Sequence, residues 1–147
     1  QHGAAYAGMQ NRPIKALSEQ QVADLRAGKG MSLALPAELN GFPGPSHALE
    51  LAVPLQLNDD QQARTRALFE QMQREASAAG ERLIVAEAEL DALFRDRRVT
   101  PALLTAAVTR AAQAQGTLRE THLRYHLRMM EVLSTEQVAA YNRMRGY

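Results

Sequence analysis

The chain has no cysteine and no tryptophan. The missing cysteine removes disulfides, thiolate metal sites and thiol nucleophiles together, and it is compatible with an oxidising compartment. Aromatic residues are only 5%. That argues against a thick sandwich core and for thin packing between helices, for which alanine is plentiful. No apolar run approaches the ~18 residues that span a membrane. No basic-apolar-cleavage pattern opens the chain. Its first residue is Gln rather than Met, as expected of a processed product whose export signal has been removed. Net charge is +1 with 22% charged residues, so bulk charge gives no reason to expect a nucleic-acid partner. Gly-x-Ser-x-Gly, Walker, dinucleotide and His-Glu-x-x-His patterns are all absent. Ser and Thr fall mostly at helix starts, and Glu87, Glu89 and Asp91 lie on a helix exterior. The expected class is not an enzyme.

What is present is a pattern that occurs three times: Leu17-Ser18-Glu19-Gln20-Gln21, Leu57-Asn58-Asp59-Asp60-Gln61 and Leu133-Ser134-Thr135-Glu136-Gln137. Each copy reads as Leu, a capping residue, two spacers and Gln. Ser or Asn at the N-cap accepts from the N3 amide, and the N3 Gln reaches back to the N-cap amide. The preceding Leu can staple onto the fourth helical position, Val22 or Val138, whereas Gln62 makes the second staple weaker. Glu19 and Asp59 suit the positive end of the helix dipole.

The chain divides by composition. Residues 1–57 hold five of the six prolines and most of the glycines, and short helices are expected there. The first starts at Ser18 and ends at Gly28-Lys29-Gly30. Leu35-Pro36-Ala37-Glu38 suggests one helical turn. Phe42-Pro43-Gly44-Pro45 reads as a turn, after which Ser46 is expected to cap a short helix running to Val53. Residues 58–147 read as a helical hairpin plus a final helix, making one domain overall. Apolar positions spaced by three and four, at Leu68, Met72, Ala76, Ala79, Leu83, Ala86, Leu90 and Leu93, predict a long amphipathic helix. Arg95-Asp96-Arg97-Arg98 breaks it, and Thr100-Pro101 starts a second with Leu104, Val108, Ala111, Leu118, Tyr125, Met129 and Val132 on its stripe. A turn centred near Arg98 makes partner numbers total about 196, so Gly80 is expected to face Gly116. A two-helix hairpin cannot bury both sides of its stripe. The N-terminal segments, the last helix or a second copy must cover the rest, and a homodimer is expected.

These boxes resemble those of the Spy/CpxP family of periplasmic proteins and of its heavy-metal-resistance relatives, the ZraP and CnrX types. In those families Leu-Thr-x-x-Gln boxes come in pairs, one opening a long helix and one following its partner. Here Leu57 to Gln61 and Leu133 to Gln137 match, with Asn58 and Ser134 where Thr is usual. The resemblance covers roughly residues 47–147, and the Pro/Gly-rich first part departs from it. It implies an all-α fold with a long antiparallel hairpin in a hooked dimer, export to the periplasm and no enzymatic activity. It leaves open two roles: metal sensing or buffering, with a membrane-bound signalling partner possible, or ATP-independent chaperoning of unfolded clients.

The sharpest local feature is His122 and His126, four apart on one helix face, with Met130 a further turn along. Imidazole with thioether suits copper; imidazole with carboxylate suits zinc, nickel or cobalt. The pairing rule sets Glu70 opposite His126, giving His122, His126 and Glu70 as the expected metal ligands. The resemblance adds Met130, because CnrX-type sensors carry a His and a Met four apart near this point, although here the pair lies one residue nearer the following Leu133. It also adds His47, because other ligand histidines precede the first long helix in that family. Affinity is expected to fall as pH drops through ~6.5, where an ordinary imidazole takes up a proton. A competing reading makes His122 a core histidine on the stripe of Leu118 and Tyr125, and makes Met130 a packing residue. His2 is expected to be disordered. Arg95, Arg97, Arg98, Arg124 and Arg128 form the cationic feature. They read either as a solvated surface, with pairs such as Glu120 and Arg124, or as a client-binding face.

Overall fold

The computed structural model describes residues 4–147, so the expectation for His2 lies outside the described residues. The described residues are helical and contain no strand. Two short 3-10 turns, Ala4–Tyr6 and Met9–Asn11, precede α1 (Glu19–Arg26), α2 (Leu35–Glu38), α3 (Pro45–Glu50), α4 (Asp59–Arg95), α5 (Pro101–Met129) and α6 (Thr135–Arg145). The all-α expectation holds, and α4 and α5 pack together as an antiparallel pair.

All three boxes are closed. Ser18 and Ser134 accept from the amides of Gln21 and Gln137, whose side chains accept in turn from the N-cap amides. Asn58 does the same with Gln61, at 2.8 and 3.0 Å. Thr100 caps α5 through the Leu103 amide. One expected cap is corrected: α3 starts at Pro45 with Gly44 at its N-cap, so Ser46 lies inside the helix. Proline supplies the first helical φ there, and its missing N–H is no loss at that position. α4 ends on a left-handed residue, Arg97 (φ 54), with Arg98 N–H bonded back to Leu93 O.

Residues 1–29 and 77–118 form one compact unit. Its core is thin, with Leu25, Ala79, Leu83, Ile84, Leu93, Ala107, Ala111 and Leu118 buried. Here α1 covers α4. A Cβ on Gly80 would stand 2.5 Å from Leu25 O, whereas a Cβ on Gly116 would meet nothing within 4 Å. The expected contact of Gly80 with Gly116 is therefore wrong. Gly80 admits the backbone of α1, with Ser77 Oγ donating to Arg26 O at 2.7 Å beside it. Leu104 and Val108 also depart from the expected stripe. They are exposed, and Ala107 and Ala111 take the inward positions.

Residues 30–76 and 119–147 form the second unit. Its core joins Ala48, Leu55, Leu57, Leu68, Met72, Tyr125, Met129, Val132, Leu133 and Tyr141 from α3 to α6. Two box glutamines lock it. Gln61 Nε2 donates to Gln137 Oε1 (2.7 Å) and to Val132 O (3.0 Å). Gln137 Nε2 donates to Gln61 Oε1 (3.1 Å) and to Leu55 O (3.3 Å). With the two N-cap amides added, each carboxamide makes four bonds, which is its full capacity.

The helix register is three residues off the expected one. Glu75 bridges Arg124 at 2.8 Å and Glu89 bridges Arg110 at 3.4 Å, so partner numbers total 199. The difference is less than one turn. No helix among the described residues is long and apolar enough to cross a membrane.

Candidate functional site

The second unit gathers the polar groups, and their centre is a residue that sequence reasoning missed. Glu38 ends α2 and is only 7% exposed. Its Oε2 accepts from Tyr141 Oη at 2.6 Å and from Tyr147 Oη at 2.7 Å. Arg145 Nε lies 3.7 Å from the same oxygen. His47 Nδ1 is 3.9 Å from Oε2, and His126 Nδ1 is 3.9 Å from Oε1. A buried carboxylate thus stands between two imidazoles. Burial, then the Glu38 carboxylate, push the Tyr141 hydroxyl far above the usual tyrosine range, so it stays a donor.

The sequence explains each placement locally. Pro36 at the start of α2 fixes a single helical turn, which turns Glu38 inward. The Phe42-Pro43-Gly44-Pro45 turn wraps His126. Phe42 O lies 2.6 Å from His126 Nδ1, which donates in the neutral ring and leaves the lone pair on Nε2. A Cβ on Gly44 would stand 2.7 Å from His126 Cε1 and 2.8 Å from Nε2, so only glycine allows this approach. His47, on α3, keeps a side chain 42% exposed.

The expected ligands do not all meet. His126 and His47 converge on Glu38. His122 is buried on the same α5 face as His126, as the core reading expects. Glu70 is exposed on α4, and the carboxylate that meets His126 is Glu38 instead. The three-residue register shift moves Glu70 off the His126 position. Met130 lies just past α5 in a turn, half-exposed, so the His-to-Met helical row ends before it. Among the described residues, no group of three or more His, Cys, Asp or Glu side chains is arranged to hold a metal ion as it stands. Nothing local in the sequence marks Glu38. Its tyrosine partners lie 103 and 109 residues away.

The cationic residues are mostly paired. Arg95 and Arg98 bridge Asp96 at 3.1 and 3.7 Å. Arg124 bridges Glu75 and, at 3.9 Å, Glu120. Arg124 and Arg128 both stack over the buried Tyr125 ring. Arg97 serves the turn that ends α4. Pairing at this density matches a solvated helix surface.

A family model described as heavy-metal resistance matches residues 31–140, roughly three quarters of the chain. No curated protein and no solved structure matches.

Proposed function

The chain belongs to the heavy-metal-resistance family, and from that premise we propose that it binds a transition-metal ion through Glu38, His47 and His126, without catalysing a reaction. One observation carries the reading: a buried carboxylate whose two oxygens each face an imidazole at 3.9 Å. Ligands bonded to one ion at 2.0–2.2 Å stand roughly 3–4 Å apart. His126 would ligate through Nε2, because Nδ1, the atom 3.9 Å from Glu38, donates to Phe42 O. Glu38 or the His126 ring therefore has to move to share an ion. Two imidazoles and a carboxylate suit zinc, nickel or cobalt. Phe42 O holds the His126 tautomer, the kind of outer contact that orients a metal ligand. The exposed edge of His47 gives an ion access. Sensing or buffering of the ion in the periplasm, as a homodimer, completes the reading.

The test is isothermal titration with Zn²⁺, Ni²⁺ and Co²⁺ at pH 7.5 and 5.5. His47→Ala and His126→Ala each weaken binding at least tenfold, and Glu70→Gln leaves it unchanged. Binding weakens at pH 5.5, because imidazole binds metal only when neutral. Absence of binding, or binding indifferent to His126→Ala, overturns the reading.

A second reading, ATP-independent binding of unfolded clients, is favoured by exposed Phe94, Leu104 and Val108 in the first unit. It requires suppression of client aggregation that His126→Ala leaves intact.

A further inference from the structure

We propose that the turn joining α4 to α5 docks on an anionic lipid surface, with Arg95, Arg97 and Arg98 on the headgroup phosphates and Phe94, Leu103 and Leu104 in the acyl boundary beneath them. The inference stands apart from the metal reading and uses only the first unit. Phe94 lies in the last turn of α4, and Leu103 and Leu104 lie in the first turn of α5. All three are exposed, Phe94 at 56%. Each is within three residues of its helix end, or ~5 Å, a depth that interfacial apolar side chains reach. Residues 94–104 hold three arginines and one aspartate, a net charge of +2, against +1 for all 147 residues. After Asp96 no acid occurs before Glu120, so no carboxylate on this stretch of α5 opposes an anionic layer.

The turn keeps this charge at a structural cost. Arg97 ends α4 in the left-handed region (φ 54), where a Cβ is strained and glycine is the usual residue. Its side chain makes no ion pair among the described residues, whereas Arg95 and Arg98 bridge Asp96. Glycine would make the same backbone turn without the strain, so the arginine's value lies in what its side chain meets outside the chain. Arg95 donates to Asp96 through Nε and Nη2, which leaves its remaining N–H groups for phosphate. Planar guanidinium groups match phosphate oxygens in pairs.

The arrangement favours lipid over an acidic protein. From Phe94 to Ala106 every residue is exposed except half-buried Val99. A cleft lined by Lys15, Ala16, Leu90 and Phe94 lies on the α4 side, and Leu103 and Leu104 stand outside it. A peptide held in that cleft would leave both leucines uncovered. A layer that is charged outside and apolar a few ångströms below meets the arginines and all three apolar side chains together.

Vesicle flotation tests the proposal, with phosphatidylcholine alone and with about one third phosphatidylglycerol added. The protein should bind the anionic vesicles and not the neutral ones, and ~0.5 M salt should release it by screening the headgroup field. Arg97→Gly should weaken binding about fivefold, the share of one arginine near an anionic surface. The same variant should lose no stability on thermal unfolding, because it removes the left-handed Cβ. A merely structural Arg97 would lower stability and binding together. Phe94→Ser should weaken binding roughly five- to tenfold. Absence of binding to anionic vesicles at ~0.05 M salt overturns the proposal. So does binding that Arg97→Gly leaves unchanged, or equal binding to neutral vesicles. Capture of soluble polyglutamate without vesicle binding would assign the turn to an acidic protein and overturn it as well.

Discussion

Gln137→Ala separates a helix cap from a tertiary lock. The same motif closes three helices, yet its glutamines have different work. Gln21 accepts one bond from Ser18 N–H at an exposed site. Removing it costs about 0.5–1 kcal/mol, the scale of a cap. Gln137 makes the corresponding bond to Ser134 N–H and three more, two of them to Gln61 and one to Leu55 O. A net hydrogen bond contributes ~0.5–1.5 kcal/mol, and stranding a buried partner costs more. Water can reach the exposed Ser134 amide but not easily the carbonyl of buried Leu55. The expected loss is therefore ~2–4 kcal/mol. Urea denaturation measures it, provided the slope is unchanged between parent and variant. The double variant with Gln61→Ala should show a coupling of ~1–2 kcal/mol, because each single change already breaks both mutual bonds. If Gln137→Ala costs no more than Gln21→Ala, or the coupling is near zero, the carboxamide pair does not hold the unit together.

Three further variants test packing and charge. Gly116→Ala should stabilise by ~0.5–1 kcal/mol, since its Cβ enters open space in a helix. Gly80→Ala should destabilise by ~1–2 kcal/mol net, as overpacking against Leu25 O outweighs the better propensity. Thermal unfolding that moves both the same way would refute the close approach of α1. For Glu75, burial pushes its carboxyl up, but the Tyr125 hydroxyl and Arg124 guanidinium outweigh that and hold it below the usual range. A carboxyl depressed by folding stabilises above its unfolded pKa, and that share is lost as pH falls through the folded value. Glu75→Gln should therefore lose stability at neutral pH, and the gap to the parent should narrow as pH falls below the ordinary carboxylate range and through the depressed folded value. A gap that stays constant with pH would show that the ion pair contributes nothing.

Much of the fold was legible in local sequence. Capping residues, Pro101 and the three-four stripes each act within one turn of their own helix, so Ser18, Asn58, Thr100 and Ser134 marked their helix starts correctly. Ser46 misled because a proline one residue earlier started the helix first. The glycine pair misled because a bare helix surface fits any backbone: the sequence marked a close approach at Gly80 without saying which one.

The candidate site divides the same way. His126 and His47 were visible as imidazoles at suggestive spacings, whereas Glu38 looked like an ordinary residue in a one-turn helix. Sequence by itself determined an all-helical chain, where its helices begin, and a long pair joined near Arg98. Local hydrogen bonds and periodic burial fix those features, and both are written in consecutive residues. Tertiary structure alone decided that Glu38 meets His47, His126, Tyr141 and Tyr147. Those contacts join α2 and α3 to α5, to α6 and to the residue that follows its C-terminal turn. A three-residue change in the α4–α5 register takes Glu70 away from His126, and the carboxylate that meets His126 comes instead from α2, whose docking no local pattern specifies.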